Sequence, residues 1–178
     1  MSRPGDAAKE VRRLLRERPE LAERLLVLAQ PPPKSARVVA PADVYAQVSP
    51  HLLGLAEERV VLLCLNRRGF PLSCEVLTVG SDRVSVIDTR HVFRRALRVG
   101  PSGAASIVLA HNHPSGDVTP SPQDIAVTRR VVAAGDVVGV ELLDHLIVAG
   151  PGLWHSMRRN GDVEFSDQGV LPMSWTGK

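Results

Sequence analysis

An apolar run that ends in two alternate histidines sets the tightest limit on how this chain can fold. Ala105-Ser106-Ile107-Val108-Leu109-Ala110 is short, apolar and rich in β-branched side chains, with Gly103 before it, and reads as a buried strand. His111 and His113 stand where that strand ends. Side chains alternate faces along a strand, so residues two apart point the same way. Pro114-Ser115-Gly116-Asp117 then turns the chain. Ser121-Pro122-Gln123-Asp124 reads as a helix start, with Ser121 at the cap, Pro122 at the first helical position and Asp124 at the third. The helix continues through Ile125, Val127, Val131 and Val132, with Gly135 as its expected stop. Strand, turn and helix in this order place Asp124 on a rigid first turn that faces back toward the histidines.

Two histidines and a carboxylate brought together are three ligands of the kind a catalytic zinc uses, with a fourth position left for water. Each part also has an ordinary explanation. Aspartate three residues after a capping serine satisfies the helix start without any metal. Two histidines beside a turn are not a ligand pair by themselves. The combination, in this order and orientation, is what points to a metal site and so to a metallohydrolase.

The same residues resemble a known family. His111-Asn112-His113-Pro114-Ser115-Gly116-Asp117, continuing to Thr119-Pro120-Ser121 and Asp124, is similar to the JAMM (MPN+ or JAB) zinc metalloprotease motif, in the variant found in bacterial RadC proteins. Asp144-His145-Leu146-Ile147, Arg90 through Leu97, and Glu58 through Asn66 resemble further segments of that family, so that the likeness covers residues from roughly 40 to 160. It implies an α/β domain, a mixed curved sheet flanked by helices in the deaminase-like JAMM/MPN fold. It implies zinc held by His111, His113 and Asp124, acting on a peptide or isopeptide bond of a protein or peptide substrate. The family places a catalytic glutamate far upstream, at the start of a core strand, which falls on Glu58 here. The residues alone leave Glu57 and Glu58 as a charge cluster before a strand, and a shift of one residue exchanges the faces. By the resemblance, Glu58 carries the proton from water to the leaving amine, and Ser121 donates a hydrogen bond to the water or the developing oxyanion. Asp144 is a possible partner orienting a ligand histidine, while His145 reads as a half-buried strand residue. His91 stands where the family usually has glutamate.

The remaining chain bounds this reading. Its 178 residues leave room for one domain and a small appendage. Aromatics are 3% of the residues, so the core is expected to consist of Val, Leu and Ala. No apolar run is long enough for a membrane helix and the N-terminus is charged rather than signal-like. Cys64 and Cys74 flank an Asn66-Arg67-Arg68-Gly69 turn. A tight hairpin there sets Cys64 opposite Pro71, which argues against a disulfide and for a cytoplasmic protein.

The expected organisation is a helical appendage with a Pro31-Pro32-Pro33 linker over residues 1–35, a catalytic domain over 36–160 and a loose tail over 161–178. Within the appendage, residues 6–29 read as two short helices broken at Pro19. Further elements are expected as a helix over 41–53 interrupted at Pro50, strands over 58–65, 70–79 and 83–87, a helix over 90–98 capped by Asp88 or Thr89, and strands over 138–148 and 153–157.

Nucleic-acid binding, or a nuclease using the same metal residues, is the second reading. A sequence pI near 9.3 and arginine pairs at 12–13, 94–95, 129–130 and 158–159 favour it. A net charge of only +3 and N-terminal arginines alternating with glutamates weigh against it. Longer RadC-like proteins carry a helix-hairpin-helix module whose Gly-x-Gly turn approaches DNA. Residues 1–35 hold Gly5 as their single glycine, so this module is expected to be absent or reduced.

Overall fold

The computed structural model describes residues 13, 36–79 and 87–166. The expected N-terminal helices, the Pro31–Pro33 linker and the strand at 83–87 lie outside the described residues, Arg13 and Ile87 apart.

Among the described residues from 36 onward, four helices and five strands follow one another as α1 (Pro41–Leu52), β1 (Arg59–Leu65), β2 (Pro71–Val79), α2 (Thr89–Ala96), β3 (Ser106–Asn112), α3 (Pro122–Val138), β4 (Glu141–Gly150), β5 (Leu153–Ser156) and α4 (Met157–Asn160). The strands form one sheet in the order β2-β1-β3-β4-β5. Neighbours are antiparallel except β3 and β4, which run parallel. A parallel pair needs a crossover, and α3 supplies it. The architecture is therefore an open mixed sheet flanked by helices, as expected.

Alternation along the strands decides what each face covers. Val61, Leu63 and Leu65 of β1 pack with Val44, Val48 and Leu52 of α1 on one face. Val60, Leu62 and Cys64 point to the other face and pack with Val92 and Phe93 of α2 and Val127 and Val131 of α3. Burial on both faces explains why β1 and β3 read as continuous apolar runs. Phe93 is the one aromatic residue in the buried core among the described residues.

Several boundaries differ from expectation for local reasons. Pro50 does not interrupt α1, which continues to Leu52. So near the end, its missing N–H forfeits one hydrogen bond of the last turn. Asp88 is the cap of α2, accepting from the Arg90 N–H. Helix α3 runs past Gly135 to Val138 and stops at Gly139, whose φ of 77° suits glycine. Gly135 is a contact glycine instead, because a Cβ there would come within 2.6 Å of the Val140 carbonyl oxygen. The β1–β2 turn also differs. Leu65 pairs with Pro71 but Cys64 pairs with Ser73, so the strand bulges at Leu72. Cys64 thus faces Ser73 rather than Pro71. The two cysteines pack into cores on opposite faces of the sheet, and both are free. The chain read as a tail from residue 161 is still packed on the domain there. Val163 is buried, Phe165 lies against the α2–α3 core, and Asp162 contacts His155 at 2.6 Å. No described helix is long and apolar enough to cross a membrane.

Candidate metal centre

The sheet and α3 bring the sequence-predicted residues together from three places. His111 lies near the end of β3 and His113 just after it. Asp124 lies in the first turn of α3, behind the capping Ser121. The Nε2 atoms of His111 and His113 are 2.9 Å apart, and Asp124 Oδ1 is 3.3 Å from His111 Nε2. Asp124 Oδ2 is 3.6 Å from His113 Nε2. One ligand atom from each of the three residues falls within 4.8 Å of the others, so this group can hold a metal ion.

The outward hydrogen bonds fix which ring nitrogens carry protons. His113 Nδ1 lies 2.7 Å from the Asp117 carbonyl oxygen, which can only accept, so Nδ1 donates and Nε2 of the neutral ring keeps its lone pair. The argument for His111 passes through two more residues. Thr128 donates its hydroxyl hydrogen to the Asp124 carbonyl at 2.6 Å. It must therefore accept from His145 Nδ1, 2.7 Å away, which leaves His145 Nε2 as an acceptor. His111 Nδ1, 2.9 Å from that atom, donates to it and turns a bare Nε2 toward Asp124. Two nitrogen lone pairs and a carboxylate oxygen thus converge with no hydrogen among them. That donor set fits a divalent cation of the zinc type.

The electrostatics agree for His111 and His145, which are held neutral, and for Asp124, which is held charged. Burial holds His111 well below the ordinary histidine value, aided by His145, with Asp124 pulling upward. Burial pushes His145 down to about 4. His113 is raised, first because its ring, once protonated, would donate to Asp124, and against partial burial. Burial raises Asp124, but the neighbouring His113 and His111 rings and the bonds from Ser121 outweigh it and hold the carboxyl below its usual range. Ser121 contributes twice to that carboxylate. Its N–H and its hydroxyl donate to Asp124 Oδ2 at 2.8 and 2.6 Å, while the hydroxyl oxygen accepts from the Asp124 N–H at 3.2 Å. Oδ2 is anchored and Oδ1 is presented.

Glu58 enters the same cavity, of about 520 Å³, lined also by His111, His113, Ser121 and Asp124. Val60 pairs with His111 across β1 and β3, and Glu58, two residues earlier, falls on the histidine side. Burial and the Asp124 charge raise its carboxyl above the ordinary value, with His113 acting against them. Asn112, between the two histidines, holds the segment that carries it. Its Oδ1 accepts from the Arg59 N–H at 2.8 Å and its Nδ2 donates to the Glu57 carbonyl at 3.0 Å. Both peptide groups flanking Glu58 are therefore fastened to β3. Glu57 is exposed and does not line the cavity.

Three residues at this centre were not legible as such: Asn112, Thr128 and His145. His145 is fully buried rather than half-buried, on the α3 face of β4. Asp144 points away, accepting from the His145 N–H, from the Arg158 N–H and from the Ser156 hydroxyl, so it does not orient a ligand histidine. The available signal was alternation. If the histidines of β3 face α3, then of the two neighbours on β4 the histidine can share that face.

An open mixed sheet with a His-x-His strand end, a carboxylate on the following helix and a metal-competent cavity defines a JAB/MPN-type domain with a metallohydrolase-like fold. Among known families, the RadC-like JAB domain matches residues 38–162, and the chain belongs to that family. A UPF0758 protein of Methanosarcina barkeri is 38% identical over 144 residues, covering 81% of this chain and 60% of the relative. A UPF0758 protein of Shouchella clausii is 42% identical over 124 residues, covering 70% of this chain and 52% of the relative. One from Rubrobacter xylanophilus is 42% identical over 142 residues, covering 80% and 60% respectively. The alignments thus span between about half and three fifths of these relatives.

Proposed function

We propose that this protein is a zinc-dependent hydrolase of amide bonds, acting on a peptide or isopeptide link. The observation that supports it is the convergence of three lone-pair donors, fixed by outward hydrogen bonds, in one cavity with Glu58. A zinc ion held by His111, His113 and Asp124 would supply Lewis acidity, acidifying water and polarising an amide carbonyl. Glu58 is the proton carrier, taking a proton from water and returning it to the leaving amine. Its carboxyl is raised above the ordinary value by burial and the Asp124 charge, the direction that favours taking up a proton. Ser121 orients the Asp124 carboxylate and, by turning its hydroxyl hydrogen into the cavity, can donate to a developing oxyanion. The free thiols fit a cytoplasmic location.

The test starts with metal analysis of the purified full chain, where one zinc per chain is expected. Cleavage of a mixed peptide library should stop with a chelator and return with zinc. Glu58→Gln should keep the zinc and lose cleavage, whereas His113→Ala should lose the metal. Full zinc in a His111→Ala/His113→Ala double variant would overturn the assignment.

A cluster of Arg94, Arg95 and Arg98 around Glu75 favours a second reading, nucleic-acid binding. Affinity for duplex DNA falling steeply with salt supports it, and salt-independent or absent binding removes it.

A further inference from the structure

The cavity holding Glu58 and the metal-competent group does not end at those residues. Gln123, Ala126, Val127 and Arg130 line it as well, and these positions form one face of α3. Ile87, just before α2, also lines it and belongs to the same packed cluster as Val127. The result is a groove with an apolar floor, Ile87 and Val127, that leads from Asp124 toward Arg130. Arg130 is exposed, and among the described residues its side chain has no ion-pair partner. It is also the sole arginine or lysine among the described residues lining the cavity. The acidic groups there, Glu58 and Asp124, are gathered around the histidines. The groove therefore has charge of opposite sign at its two ends.

We propose that Arg130 reads a carboxylate on the substrate, so that this groove selects peptides bearing an acidic group a short distance from the scissile amide. The inference rests on the hydrolase reading and deepens it by naming the substrate class. Arg130 lies six positions beyond Asp124, which at 1.5 Å per residue is about 9 Å along the helix. An extended peptide advances about 3.3 Å per residue. The carboxylate thus falls about three residues from the bond that is cut, with small or apolar side chains between. A glutamate or aspartate side chain and a free C-terminus offer the same chemistry, and the guanidinium fork fits either.

Peptide sets distinguish these sources. The probes are degenerate N-acetylated decapeptides, uncharged except where stated, of four kinds: one Glu with an amidated end, one Gln with a free C-terminal carboxylate, one Gln with an amidated end, and one Lys with an amidated end. They are titrated against the zinc-loaded full chain carrying Glu58→Gln, so that nothing is turned over. Either carboxylate-bearing set should bind about tenfold or more tightly than the neutral set. The set that does so identifies the source. Arg130→Ala should abolish the preference and Arg130→Glu should move it to the Lys set, with zinc content and thermal midpoint unchanged. Equal binding of charged and neutral sets, no binding of any set, or a preference that survives Arg130→Glu overturns the proposal. Cleavage by the wild-type chain that ignores acidic residues sinks this inference and leaves the hydrolase reading standing. Arg130-dependent acidic binding without any cleavage does the reverse.

Discussion

At the scale of single residues, Asn112 explains why an asparagine separates the two histidines. Its amide stands in for a peptide group, accepting from Arg59 and donating to Glu57, and so fixes Glu58 opposite the histidines. Asn112→Ala should leave zinc stoichiometry intact while lowering cleavage about a hundredfold, the effect of letting a catalytic group drift by about 1 Å. Asn112→Asp keeps the acceptor for Arg59 and should recover part of that loss. Zinc stoichiometry measured beside the rate separates this from loss of the site. Thr128→Val tests the other support. It leaves His145 Nδ1–H without its acceptor and should weaken zinc about tenfold to a hundredfold, read by competition with a chromophoric chelator. The three metal-competent residues could be picked out in the sequence because each follows a local rule of alternation or capping. Asn112, Thr128 and His145 could not, because their roles depend on which strand lies beside which. Glu58 was named through family likeness, and its separation from Glu57 is a matter of sheet register, which no local pattern encodes.

At the scale of elements, the junction of α3 with β4 shows how one glycine can be mistaken for another. Gly135 sits at a plausible helix end, yet the helix runs four residues further to its left-handed cap. The two glycines should respond differently to the same substitution. Gly135→Ala drives a methyl group against the Val140 carbonyl and should cost about 1–3 kcal/mol by displacing β4 from the helix. Gly139→Ala meets no neighbouring atom and should cost about 1 kcal/mol through backbone strain alone. Denaturant midpoints of the two variants check the order. Strand and helix identities were readable from periodicity and capping. The bulge at Leu72 and the packing of residues 161–166 were not, since both are settled by contacts with other elements, and the passage of α1 through Pro50 was not, since it depends on where the helix ends.

At the scale of the molecule, the sheet buries titratable groups along with its apolar residues, and these make stability depend on pH. Burial depresses His145 to about 4 and also lowers His111, so an unfolded chain takes up protons there that the folded one refuses. Their contribution is present above the ordinary value near 6.5 and is lost as pH falls toward 4. Asp144, pushed up to about 6 by burial, acts in the opposite direction over much of the same range. Glu58, part-buried and also raised, adds to Asp144, but the two fully buried histidines outweigh this pair, so the metal-free protein is predicted to melt at lower temperature as pH drops from about 6.5 to 4. His145→Gln should flatten that slope, and thermal melts with chelator across the range decide it. The mixed α/β class was legible because both-sided burial leaves strands apolar throughout, whereas the order of strands in the sheet was not.

The Asn112 bond to Arg59 has a further use. The Arg59 amide hydrogen is bound to a side chain rather than to a neighbouring backbone, so its exchange with deuterated solvent follows the seating of one residue and not the fraying of a strand. In an Asn112→Ala protein that single hydrogen should exchange faster while those deeper in β1 remain protected. Glu58's alignment could then be followed in solution without metal and without a substrate.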